Sequence, residues 1–153
     1  MKRFCIFLFV LTGVNVLAQT PSVTVTDEEL ERYVIAMDSV NELTEQLKET
    51  ISELVKNNPN LTAARYNELS KLNGDSVKLK EAQATPAELQ ALKEITERRN
   101  AETMKLQETF KKLASEYVGA ATFNKIRNAL RTDTELKARY DAMMAERKKQ
   151  EDS

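Results

Sequence analysis

Acidic side chains are the most numerous candidates for chemistry in this sequence of 153 residues. Four of them follow one another at three- and four-residue steps and would share one face of a helix, namely Glu42, Glu45, Glu49 and Glu53. Acid–base catalysis by such a pair requires burial or a charged neighbour that moves one pKa. Because the four lie away from the surrounding apolar positions and no nucleophile motif accompanies them, the spacing indicates a solvated acidic face. No catalytic residue is predicted.

Other reactive side chains are scarce. The sequence has no histidine, and its single cysteine, Cys5, lies in a segment that we expect to be removed. Imidazole and thiolate are the usual ligands of zinc, and carboxylate metal sites in helical bundles usually need a Glu-x-x-His motif. We therefore predict no metal site, no cofactor and no enzymatic activity. The net charge of −1 also argues against a dedicated nucleic-acid-binding protein.

A polar interruption at Arg98, Arg99 and Asn100 is the strongest candidate for a site of interaction. It falls among the apolar positions of a predicted long helix, where Arg99 would face the middle of another helix. An unpaired buried arginine is costly, so either Arg99 pairs with Glu42 or Glu45, or the helix is rotated locally and Arg99 is exposed. A paired polar layer would fix the register of the two helices. A direct binding role for the three residues is the alternative.

Helices are the elements that would position these residues. A capping box at Thr26-Asp-Glu-Glu29 precedes apolar residues that alternate at spacings of three and four from Leu30 to Leu54. This pattern predicts a long helix from Asp27 to Lys56.

Further start and stop signals divide the rest of the chain. Thr62 caps a short helix, and Thr85-Pro-Ala-Glu88 opens a second long helix that we expect to reach about residue 117. Gly119 ends that helix, a short helix follows, and a third capping box at residues 132–135 begins the last one. The sequence therefore predicts an all-α fold with two long antiparallel helices, each followed by shorter helices, in a pseudo-repeat bundle.

The order of long helix, turn and short helix occurs twice. The capping boxes match at an offset of 59 residues, and an aromatic-Asn-x-aliphatic motif in the short helices matches at an offset of 57. That motif consists of Tyr66, Asn67 and Leu69 in the first copy and Phe123, Asn124 and Ile126 in the second. We therefore predict two repeat units, at about residues 26–74 and 85–144.

The same segments carry a resemblance to a known family. Thr26-Asp-Glu-Glu-Leu30 and the segment 61–69, Leu-Thr-Ala-Ala-Arg-Tyr-Asn-Glu-Leu, resemble the secreted bacterial family catalogued as domain of unknown function 4168. Residues 123–136 are similar to the ending of that family, where Asp-Pro-Glu-Leu is common and this chain has Thr134 in place of proline. The resemblance implies an exported helical domain with two tandem copies of the motif. It implies no activity and no catalytic residue.

Residues 1–18 have the pattern of a secretory signal peptide. Lys2 and Arg3 precede an apolar run over residues 4–14, and small or apolar residues stand three and one positions before a cleavage site after Ala18. The apolar run is shorter than the roughly 20 residues that cross a bilayer, which argues against the alternative of a membrane anchor. We therefore predict a location in the periplasm or outside the cell.

The remaining chain divides by composition. Residues 19–25 contain Pro, Ser and Thr without a helical period and predict a flexible leader, residues 26–150 form the helical domain, and residues 151–153 form a disordered tail. Residues 27–56 hold nine acids and three bases, whereas residues 124–150 hold eight bases and four acids. Pairing between these segments within the chain is the favoured interpretation, and contact of the basic end with an anionic lipid surface is the alternative.

These features favour an exported, non-catalytic helical module that binds an envelope or periplasmic protein. The alternative is a small periplasmic chaperone or stress adaptor that binds unfolded clients through exposed apolar surface. Adaptable methionines would serve such a surface or simply fill the core, namely Met37, Met104, Met143 and Met144. No nucleic-acid partner and no membrane span are predicted after cleavage, and self-association through the first helix is possible.

Overall fold

The computed structural model describes residues 24–151, which fold into six α-helices and a five-residue π-helical segment. The predicted signal peptide, residues 19–23 of the leader and residues 152–153 lie outside the described residues. The helices are α1 (Asp27–Lys56), α2 (Ala63–Ser70), α3 (Ser76–Glu81), α4 (Pro86–Lys112), α5 (Ala120–Ala129) and α6 (Thr134–Glu151). The all-α prediction is therefore confirmed, and α6 extends one residue into the predicted tail.

The two long helices begin at capping boxes, as the sequence predicts. The Thr26 hydroxyl accepts a hydrogen bond of 3.2 Å from the Glu29 amide, and the Glu29 carboxylate accepts one of 3.0 Å from the Thr26 amide. Thr85 and Glu88 form the same pair of bonds, at 3.2 and 2.8 Å. These bonds satisfy amides that have no partner inside the helix, and so they fix both starting points.

The long helices α1 and α4 form an antiparallel hairpin. Val55, at the end of α1, packs in one cluster with Ile95 of α4, whereas Leu47 lies nearer Leu106. Each end of the hairpin is closed by shorter helices: α2 and α3 at one end, α5 and α6 at the other.

Two separate hydrophobic cores result from this arrangement. The first joins α1, α5, α6 and the segment after α4, and its buried residues are Leu30, Tyr33, Val34, Ala36, Val118, Phe123, Ile126 and Leu136. The second joins the end of α1 with α2, α3 and the start of α4, and its buried residues are Val55, Leu61, Leu69, Leu79, Ala91, Leu92 and Ile95. The middle of the hairpin between the two cores is only partly buried.

Two predicted boundaries differ from the structure. The second long helix is α-helical only to Lys112 and continues as a π-helical segment, Leu113–Tyr117, before Gly119 ends it at a φ of 90°. The predicted third capping box at residue 132 is wrong, because the Asp133 carboxylate caps α6 by accepting a bond of 2.9 Å from the Leu136 amide. Thr132 is occupied in the preceding turn, where its hydroxyl donates to the Ala129 carbonyl.

The basic end of the chain packs against the acidic first helix. Arg139 pairs with Asp27, and Arg147 pairs with Asp38 at 2.5 Å. Pairing within the chain, the interpretation that the charge distribution favours, is therefore what these helices show.

Candidate functional site

An open groove of about 930 Å³ lies between the C-terminal half of α1, the start of α2 and the middle of α4. Leu47, Ile51 and Val55 follow one another at four-residue spacing on α1 and form its apolar wall. The other residues that line it are Lys48, Ser52, Lys56, Asn58, Leu61, Thr62, Ala63, Tyr66, Asn67, Arg99 and Thr103. Its volume is in the range of ligand-binding clefts.

The groove exists because the two ends of the hairpin are filled differently. At the offset of 59 residues, Ile51 corresponds to Phe110, whose ring packs against Phe123 at a centroid distance of 5.6 Å. Tyr66 corresponds to Phe123 at the offset of 57, but it faces the smaller Ile51. The aromatic side chain that fills this space at one end is thus replaced by an aliphatic one at the other.

The charged side chains around the groove are all cationic. Lys48, Lys56 and Arg99 are among the lining residues, and no carboxylate is. Lys48 pairs with Glu45 of its own helix at 2.7 Å. Across residues 24–151, the side chains of Lys56 and Arg99 form no ion pair or hydrogen bond. The groove therefore combines an apolar wall with two cations whose charge no side chain compensates.

The three residues predicted as a polar layer are exposed. Arg98 forms an ion pair of 2.9 Å with Glu102 of the same helix, and Arg99 faces the groove. Neither Glu42 nor Glu45 pairs with Arg99, since their carboxylates accept bonds from Gln46 and Lys48 within α1. Of the two alternatives for Arg99, the structure has the exposed one.

The six residues of the repeated motif separate by chemistry. Leu69 and Ile126 are completely buried, Phe123 is buried in the first core, and Tyr66 packs against the second core while lining the groove. The two asparagines are exposed: Asn67 lines the groove, and Asn124 donates a bond of 3.0 Å to the Ala120 carbonyl. Only Tyr66 and Asn67 of this set belong to the candidate site.

Two ion pairs that the sequence did not predict join the halves of the chain. Arg65 of α2 donates to Glu88 of the second capping box at 2.8 Å, and to the Ala82 carbonyl. Lys125 of α5 donates to Glu29 of the first capping box at 2.5 Å. Each capping glutamate thus accepts bonds from its own helix start and from a cation of the other half. The hydrogen bond from Arg65 lowers the pKa of Glu88 to about 2, and Lys125 likewise lowers the pKa of Glu29.

These carboxylates make stability dependent on acid. Glu88 has a lower pKa in the folded chain than its ordinary value of 4.5, so its contribution is fully present above that value and is lost as the pH falls towards about 2. We expect the melting temperature to fall over this interval, and to fall less in Glu88→Gln, which takes up one proton fewer on unfolding. Thermal melts followed by circular dichroism between pH 2 and 7, a range of about five units, measure this. The matched control is Glu108→Gln, an exposed site on the same helix. Equal acid sensitivity in Glu88→Gln and the unmodified chain would contradict the assignment.

No family model, curated protein or solved structure matches the chain. In the part of the chain that the structure describes, no three acidic, cysteine or histidine side chains converge in the manner of a metal site. None of the helices in residues 24–151 has both the length and the apolar content needed to cross a membrane. The groove is consequently the feature on which a functional assignment has to rest.

Sequence reasoning identified Arg99 but not the groove around it. The apolar wall was assigned to the seam between the long helices, because periodicity does not reveal whether a third element covers it. The comparison of Ile51 with Phe110 within the two repeat units was the available signal. A large residue replaced by a smaller one in a duplicated core marks a place where space is left.

Proposed function

We propose that the protein is an exported, non-catalytic helical binding module, whose groove receives an apolar segment of an envelope or periplasmic protein. The observation that carries this proposal is the apolar wall of Leu47, Ile51 and Val55, which no other helix of the described chain covers. Localised apolar surface of this kind marks interaction sites in small domains. Export rests on the signal-peptide pattern of residues 1–18.

A duplicated architecture is part of the proposal. Two pairs of residues related by the offset of 57 are buried in both halves, Leu69 with Ile126 and Leu79 with Leu136. Both long helices also begin at equivalent capping boxes. We infer that an ancestral unit was duplicated, that one copy was closed by Phe110, and that the other kept an open face for binding. The resemblance to domain of unknown function 4168 agrees with an exported helical domain and adds no activity.

The second candidate function is a small periplasmic chaperone or stress adaptor. It is favoured by exposed apolar residues outside the groove, among them Val77 and Met104. The other three methionines considered for a client surface, however, pack against the first core, namely Met37, Met143 and Met144. Scattered exposed residues are normal in small proteins, whereas one groove fits one kind of partner better. The binding module is therefore the better-supported assignment.

A capture experiment with a blocked groove distinguishes the two functions. Residues 19–153, tagged, would be incubated with an envelope extract of the native host, in parallel with Ile51→Phe, which fills the groove as Phe110 fills its counterpart. Met104→Phe adds an aromatic ring at an exposed site outside the groove and serves as the control. We expect one stoichiometric protein to be retained by the unmodified chain and by the control, and lost with Ile51→Phe.

Two other results would contradict this assignment. Many unrelated proteins, bound equally by all three forms and increasing after heat stress, would establish the chaperone function instead. A single partner that is bound equally by Ile51→Phe would move the interaction to another surface.

A further inference from the structure

We propose that the occupant of the groove is an amphipathic helix of a partner protein with carboxylate side chains beside its apolar stripe. This inference rests on the proposed binding function and adds the chemistry of the partner. It is carried by the shape of the apolar wall, by the way in which the chain covers the other half of α1, and by the charges along the groove.

The wall has the form that helices pack against. Residues spaced by four form a ridge on a helix surface, and ridges of one helix fit the grooves of another. The ridge of Leu47, Ile51 and Val55 extends for roughly 12 Å, since each residue rises about 1.5 Å. A helix that docks through anchors at positions i, i+3 or i+4, and i+7 covers about 10 Å, which matches this ridge.

The chain itself shows a helix docked on α1 in this manner. α6 has 18 residues and lies along the N-terminal half of α1, where the rings of Tyr140 and Tyr33 are 5.9 Å apart. The corresponding helix of the first half, α3, has only six residues and stops after one and a half turns. The C-terminal half of α1 therefore lacks a long covering helix from its own chain.

Charge specifies which helix fits. α6 is held on the acidic half of α1 by cations, through the pairs Arg139–Asp27 and Arg147–Asp38. The groove has the opposite sign, because Lys56 and Arg99 lie along it without a carboxylate partner in the described chain. A helix with glutamates beside its apolar stripe would pair with these cations, and a basic helix such as α6 would be repelled. The same charges therefore select against the chain's own terminal helix.

The test uses three synthetic helical peptides of about 18 residues, long enough to hold a helix, with the same leucine stripe. They differ only in the residues beside the stripe, which are all glutamate, all glutamine or all lysine. Binding to residues 19–153 is measured by fluorescence anisotropy at low and at moderate salt. We expect the glutamate peptide to bind about tenfold more tightly than the glutamine peptide, with the advantage reduced by salt, and the lysine peptide most weakly.

Two variants assign the effect to the groove. Arg99→Glu is expected to remove the advantage of the glutamate peptide and to improve binding of the lysine peptide. Arg98→Glu makes the same change of charge at the neighbouring exposed residue, which does not line the groove, and is expected to change the ranking little. Ile51→Phe is expected to abolish binding of all three peptides. Because Arg99 is exposed, its variant tests the inference even if Ile51→Phe proves unstable.

Several outcomes would overturn the inference. Equal binding of the glutamate and glutamine peptides, with loss on Ile51→Phe, would leave the binding function intact and reject the acidic partner. Binding of dodecanoate without binding of any peptide would make the occupant an acyl chain. A dimer of the protein that dissociates on Ile51→Phe, seen by light scattering, would make the occupant a second copy. Absence of peptide binding with retention of a groove-dependent envelope partner would reject the helix and keep the module.

Discussion

Replacement of Leu69 or Ile126 with alanine is expected to lower the free energy of unfolding by about 2–5 kcal/mol in each case. Both side chains are 0 % exposed, and each lies in a different core. Alanine removes the apolar contacts and leaves a space that the surrounding helices fill only partly. Urea unfolding followed by circular dichroism measures the change. Val77→Ala is the matched control, because Val77 is exposed and its truncation is expected to cost less than about 0.5 kcal/mol.

The double variant tests whether the two cores are independent. The residues share no cluster, so the losses in Leu69→Ala and Ile126→Ala should add to within about 0.5 kcal/mol. A double variant much more stable than the sum predicts would mean that the cores are coupled through the hairpin. A loss below about 1 kcal/mol in either single variant would contradict the packing described here.

Local signals in the sequence account for most of the fold. Thr26 and Thr85 define their helix starts, because a capping side chain and its acceptor lie within one turn of each other. The long apolar seam predicts α1 to the residue, since no glycine or proline interrupts it before Asn57. Where two local signals compete, the sequence is less decisive. Thr132 and Asp133 are both good caps, and the choice of Asp133 depends on Thr132 completing the turn after α5.

The site was less predictable because its parts meet only in the tertiary structure. Glu88 has a complete local role in its capping box, so nothing in the sequence requires Arg65 as a further partner. Arg99 had two consistent interpretations, and the choice between them depended on which carboxylates of α1 were already engaged. The groove reflects a difference in side-chain volume between Ile51 and Phe110, and such a difference has a meaning only when the two halves are compared.

Removal of the Arg147 guanidinium is expected to lower the free energy of unfolding by about 1.5–3 kcal/mol, the range for hydrogen bonds to charged groups. The Asp38 side chain is 10 % exposed, and Arg147 is its hydrogen-bond partner at 2.5 Å. Arg147→Met keeps the length and apolar contacts of the side chain while removing the charge. The carboxylate would then stay buried between α1 and α6 without compensation, which is the costly half of a broken pair. Urea unfolding at pH 7 measures the loss.

Removal of the other partner should cost less. Arg147 is 37 % exposed, so in Asp38→Leu its guanidinium can turn towards water, whereas the Asp38 carboxylate in Arg147→Met cannot. The double variant Asp38→Leu/Arg147→Met should recover most of the stability, because a buried pair can be replaced by apolar side chains of similar volume at little cost. If Asp38→Leu destabilises as much as Arg147→Met, the pair contributes through attraction rather than through the need to neutralise a buried carboxylate. Recovery in the double variant would instead mean that the charges specify where α6 lies on α1, while packing of Tyr33 with Tyr140 supplies the binding energy.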